Sequence, residues 1–202
     1  MLQIKSFRWA VTAAAFGAGL FAWPAPGDAQ TVVGNAKAAR VTAYGLLGGS
    51  TTTALADTGA LGGTSDARDA ALVTAGIPSV LSGEVLRAVT IGWPDQVTSE
   101  ASLAGLGLTV GGVPISADFV MATATALLGG AGSGRSILEN LSINGVPVAV
   151  SGEPNQTFVI PGGEVVVNEQ TVSAAGTTVN ALRATVFGVT DVVIASATAG
   201  IR

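Results

Sequence analysis

Short runs of β-branched residues, closed off by glycine, proline, asparagine and serine, recur from Val41 to Ala199. No other feature restricts the fold as much. Valine, isoleucine and threonine have stiff side chains that pack well on a pleated surface. Lysine and glutamate at helical i, i+4 spacing are few over the same span. The runs are Val41 to Leu47, Leu86 to Ile91, Gln96 to Val110 with a break near Gly105, Phe119 to Leu128, Ile137 to Ile143, Val146 to Val150, Gln156 to Ile160, Glu164 to Gln170, Val179 to Val186 and Val192 to Ala199. Ser50 to Ser65 reads as a loop or an edge strand, and the Ala-rich Asp69 to Thr74 is ambiguous. About ten strands with turns at short intervals predict an all-β antiparallel β-sandwich.

Internal similarity points the same way. Leu108-Thr109-Val110-Gly111-Gly112-Val113-Pro114-Ile115 parallels Leu141-Ser142-Ile143-Asn144-Gly145-Val146-Pro147-Val148. Each is a strand, a two-residue turn and a return strand. Asn144-Gly145 suits a type I′ turn, which needs positive φ at both central residues. A second echo links Asp118 to Ala126 with Asp191 to Ala199. The two echoes lie 33 and 73 residues apart. Such unequal spacing favours duplicated hairpins in a sandwich over a β-solenoid, the alternative. Strand alternation leaves one orientation open: either Val193, Ala195, Ala197 and Ala199 face the core, or Val192, Ile194, Ser196 and Thr198 do. Successive alanines imply a close approach between layers, or packing against another chain.

The N-terminus reads as an export signal. Lys5 and Arg8 precede an apolar run from Trp9 to Trp23, which Pro24 and Pro26 break. That run is shorter than the roughly 20 residues of a spanning helix. A basic start, an apolar middle and small residues at Gly27 and Ala29 form the layout of a cleavable signal helix. The expected organisation is a signal peptide over 1–29, a short linker over 30–40 and one β-sandwich domain over 41–202. No membrane span remains after cleavage. Removing Asp28, Lys5 and Arg8 leaves 12 acidic and 7 basic residues, a net charge of -5.

Composition excludes whole classes of chemistry. Without cysteine or histidine, no disulfide, zinc–thiolate site, Cys nucleophile or Ser-His-Asp triad can form. Nine scattered Lys and Arg make no basic patch, which argues against nucleic acid. Carboxylates, hydroxyls and backbone remain. Asp66 and Asp69 flank Ala67-Arg68 in a loop that offers carboxylates to calcium, although the EF-hand order is missing and a solvated turn explains the pair as well. Glu164 and Glu169 are a carboxylate pair of the kind glycosidases use. Five residues apart on a regular strand, they face opposite ways. Asp118 and Asp191 each open a strand after a turn, a place where Asp bonds the backbone two residues on. Asn144 and Gly145 are turn residues. Asn155-Gln156-Thr157 fits the N-glycosylation pattern. Gly129 to Gly134 lacks the Lys-Ser/Thr ending of a phosphate loop. Tyr44 and Trp93 are the aromatic candidates for a glycan or ligand surface. No catalytic residue and no cofactor are assigned.

Five short motifs occur in order after Ser136: Leu141 to Val148, Pro154-Asn155-Gln156-Thr157, Ile160-Pro161-Gly162-Gly163, Val167-Asn168-Glu169-Gln170-Thr171 and Val179-Asn180-Ala181-Leu182. With the opening Ala43-Tyr44-Gly45-Leu46, this series resembles the bacterial choice-of-anchor P family over about Val41 to Ala199. The resemblance implies a secreted or surface-displayed, β-rich domain with no assigned enzymatic activity. Relatives differ in their C-terminal tethers. Here Ala199-Gly200-Ile201-Arg202 follows a strand directly, so the expectation is release to the medium, matrix or periplasm. The expected function is a non-enzymatic structural or adhesive protein. Its expected partners are itself, through exposed strand edges, or other surface and matrix components. A glycan- or ligand-binding module is the alternative, and a carboxylate-based hydrolase is a third reading.

Overall fold

The computed structural model describes residues 30–45 and 47–202, so the expected signal peptide lies outside the described residues. Among these, thirteen strands form: β1 (Val32–Tyr44), β2 (Ser50–Asp57), β3 (Ala67–Ile77), β4 (Leu81–Gly92), β5 (Gln96–Val110), β6 (Val113–Leu127), β7 (Ser133–Glu139), β8 (Ser142–Ile143), β9 (Val146–Pro147), β10 (Gln156–Ile160), β11 (Gly163–Ser173), β12 (Gly176–Val186) and β13 (Thr190–Ile201). The first sheet has the order β10-β11-β12-β13-β1-β2. The second has β3-β4-β5-β6-β8-β9, with β7 also paired to β6. Both sheets are antiparallel and neither closes into a barrel, so the fold is a β-sandwich and not a solenoid.

The predicted turns form as expected. Val110 pairs with Val113 and Ile143 with Val146. Positive φ at Gly111, Gly112, Asn144 and Gly145 gives both hairpins the primed turn geometry. The linker expected over 30–40 is instead the first two-thirds of β1, where Val32 pairs with Ile201 and Val41 with Val192. Its polar residues misled the reading because they all lie on one face. Gly34, Ala36 and Ala38 are buried and alternate with half-buried Asn35 and Lys37.

Strand alternation reverses once along each long strand, and the reversals line up. In the first sheet two consecutive residues turn inward: Ala38 and Ala39 on β1, Ile194 and Ala195 on β13, Ala181 and Leu182 on β12, Val167 and Asn168 on β11. Positive φ at Asn168, Ala195 and Ala56 marks this row on alternate strands. In the second sheet two consecutive residues turn outward: Glu84 and Val85 on β4, Ala104 and Gly105 on β5, Asp118 and Phe119 on β6. Val85, Gly105 and Asn140 carry the positive φ there. Contacts between the sheets join residues on the same side of both reversals. A Cβ on Gly34 would meet Thr90, and one on Gly111 would meet Val186. The two creases are therefore superposed. The doubled inward row of one sheet fills the row that the other leaves empty.

This resolves the orientation left open for β13. Val192 and Ile194 face the core before the crease, and Ala195, Ala197 and Ala199 after it, all fully buried. On β6, Ala122, Ala124 and Ala126 are buried in the same way. Cα atoms of β13 come within 8 Å of β5 and β6, closer than the usual layer spacing of about 10 Å. The alanines thus mark close approach between layers. Ser99 on β5 spans the gap by donating to the Thr198 carbonyl at 2.6 Å, and so accepts from Thr90 at 2.7 Å.

Two substitutions test this packing. Ala197→Leu puts three extra carbons where the layers touch, and is expected to cost about 1–3 kcal/mol in urea unfolding at unchanged m-value. Val85 is a β-branched residue at φ 46 on an exposed site. Val85→Gly releases about 1–2 kcal/mol of left-handed strain against about 0.5–1 kcal/mol of glycine entropy, so the urea midpoint rises slightly.

Candidate functional site

The crease leaves a mark on the outer face of the first sheet. Where two consecutive residues turn inward, no side chain points out, and a slot runs across the strands. One wall follows the paired row Asp57, Lys37, Ser196, Asn180 and Glu169. The other follows Ala54, Arg40, Val193, Arg183 and Val166. Five strands make the slot about 19 Å long, and three residues of strand set its walls about 10 Å apart.

Ion pairs stiffen this face. Asp191, two residues from Val193, is buried at 5% exposure. It accepts from Arg183 Nε at 2.6 Å and Thr185 Oγ1 at 3.0 Å, with Arg40 at 3.5 Å. Arg183 reaches across the slot to Glu169 Oε1 at 2.9 Å, while Asn180 donates to Glu169 Oε2 at 2.6 Å. The Asp191 hydrogen bond above all, opposed by burial and helped by Glu169, raises the Arg183 pKa above its ordinary value. Lys37 bonds Asn35 at 2.8 Å and lies 3.4 Å from Asp57. A cavity of about 250 Å³ reaches from Arg40 and Val193 on one wall, past Lys37, Asn180 and Ser196 on the other, to the next row, Asn35, Thr178 and Thr198. Two amides, three hydroxyls and two cations surround it, with Val193 as its one apolar member.

Sequence reasoning missed the slot. Asn35, Lys37 and Arg40 fell in the supposed linker, and only their period-two alternation with small buried residues could have revealed them. Asp191 and Asn180 were noticed for other reasons. Asp191 lies one residue into β13 and anchors Arg183 rather than closing a turn. Asp118 lies inside β6 instead of opening a strand, and accepts from Asn140 Nδ2 at 2.6 Å. Glu164 and Glu169 share the outer face, contrary to the expectation of opposite faces, because the reversal at Val167 and Asn168 falls between them. About 16 Å of strand still separates them.

The remaining candidates do not converge. Tyr44 ends β1, whereas Trp93 precedes Pro94, whose carbonyl binds Gln30 just before β1. The two aromatics, 44% and 40% exposed, thus sit at opposite ends of a strand about 40 Å long and build no common platform. Asp66 Oδ2 accepts from the Gly62 N–H at 2.7 Å and Arg68 Nε at 3.0 Å. Gly62 first, then Arg68, hold its carboxyl below the usual aspartate range. Asp69 stands on β3 opposite Val89. Among the described residues no three acidic side chains gather as a metal site. Asn155 Oδ1 accepts the Gln170 N–H, fastening the loop before β10 to β11. No helix among the described residues is long and apolar enough to cross a membrane.

Compared with family models, curated proteins and solved structures, the chain matches none.

Asp191→Ala leaves two guanidinium groups without their shared acceptor. Because both arginines are partly exposed, the expected loss is about 1–2 kcal/mol in urea unfolding, and Asp191→Asn should lose less.

Proposed function

We propose that this chain is a secreted, non-enzymatic structural or adhesive protein of the cell surface or matrix, whose copies associate through a strand edge. The observation that carries this reading is the edge of β3. It runs eleven residues with one side unpaired. It contains no proline or lysine, and its charges, Arg68 and Asp69, sit at one end. Leu72 and Val73 are exposed at 40% and 81%. Natural sheets usually blunt such an edge with charge, proline or a bulge, since it templates pairing with another chain. The other sheet ends are less inviting: β10 has five residues, β9 has two, one of them Pro147, and the eight-residue β2 exposes Ser50, Thr51, Thr52 and Thr53 rather than large apolar side chains and ends on Asp57.

An antiparallel pairing of two β3 strands centred on Leu72 sets that residue against its copy and Val73 against Ala71. The basic start and apolar run near the N-terminus support export. The resemblance of the ordered motifs to choice-of-anchor P proteins supports a surface role. The polar slot favours a second reading, a ligand-binding module, which is compatible with the first. A carboxylate hydrolase draws least support, because Glu164 and Glu169 stand far apart.

Light scattering across a concentration series tests the edge. Wild-type chain is expected to associate as concentration rises, and Val73→Lys to remain monomeric with an unchanged melting temperature. A wild-type chain that stays monomeric at the highest concentration would refute the proposal.

A further inference from the structure

We infer that the slot on the first sheet binds an acidic sugar unit, a carboxylate-bearing ring within an extended polysaccharide. This site is separate from the β3 edge and does not rest on edge association. The cavity lining carries Lys37 and Arg40 and no carboxylate, on a chain whose net charge is -4. Two acids nearby pair with these cations, Asp57 with Lys37 at 3.4 Å and Asp191 with Arg40 at 3.5 Å, and both contacts are long. Asp191 is held by Arg183 and Thr185, and Glu169 by Arg183 and Asn180.

Arg40 is the least committed cation. Among the described residues its one ion pair is long, at 3.5 Å, to a carboxylate that Arg183 already holds at 2.6 Å. Among the described residues its buried Nε has no hydrogen-bond partner. With 42% of its side chain exposed, Arg40 turns its terminal N–H groups to a ligand carboxylate beside Lys37.

The neutral lining selects hydroxyls. Asn35, Asn180, Thr178, Ser196 and Thr198 offer donors and acceptors around a volume of about 250 Å³. That is below the roughly 300–1,000 Å³ of pockets for drug-sized molecules, and at about 30 Å³ per water it holds about eight waters, the room of a single ring. Arg183, bound to Glu169 across the slot, closes it toward β11, so a polysaccharide reaches the cavity with one unit and leaves toward solvent. Without an aromatic platform, affinity comes from charge and hydrogen bonds, and falls with salt.

Calorimetry of the full chain with oligogalacturonate, and with a neutral glucan of equal length, tests this. Oligogalacturonate is expected to bind and the glucan not to. Arg40→Gln should weaken binding about tenfold, in line with loss of a charge-assisted bond. Ser196→Phe, which fills the cavity from an outward strand position, should abolish it at unchanged melting temperature. Val73→Lys should bind as the wild type does, which separates this site from the β3 edge. Absent binding, equal binding of the neutral glucan, or indifference to both slot substitutions would each overturn the proposal. If oligogalacturonate fails to bind while Arg40→Gln dissolves self-association, the slot holds an acidic surface of a second copy instead, and the proposal is lost.

Discussion

Side chains of one sheet enter the row that the other sheet vacates, and the rest of the molecule follows from that fit. A sandwich of regular strands keeps its layers apart by the bulk of alternating residues. Here the middle of each strand breaks the alternation, inward on the first sheet and outward on the second. The layers nest and close on small residues. Ala122 and Ala124 on β6, and Ala195 and Ala197 on β13, are all fully buried. The core is thin, so its tolerance for added volume is small. Its stability rests on many short contacts rather than on a few large side chains.

The same crease explains the outer surface. A row withdrawn from the outside of the first sheet exposes a trough, and polar residues on either side face one another across it. Arg183 bridges that trough by binding both Asp191 and Glu169. It ties β12 to β11 on one side and β13 on the other, over a span where Asn168 and Ala195 take unusual backbone angles. The guanidinium fork suits this task because it is planar and always charged.

Much of the architecture was legible in the residues. Gln96 to Val110 and Gln156 to Ile160 match β5 and β10 end to end, and Asn144-Gly145 forms the turn its dipeptide specifies. These features are local, set by alternation and turn chemistry. The crease is not local. Ala38, Ala181 and Ala195 carry no side-chain signal of a reversal, and each reverses because its neighbours across the sheet do. For the same reason uniform alternation gave the wrong face for Glu169 relative to Glu164. It also left β13 undecided, since each of the two candidate sets is right for half the strand. The slot residues were hidden because β1 begins earlier than its β-branched stretch. Asn35 and Lys37 reveal strand only once β13 is seen alongside.

The first and last strands are neighbours at the heart of one layer, with Val32 beside Ile201 and Ala43 beside Thr190. A polypeptide still being synthesised holds β1 without its mate. The first sheet is cut in two until β13 emerges. Sequence-distant pairing of this kind slows folding. It also leaves β1 and β12 without the strand that lies between them until β13 has been made.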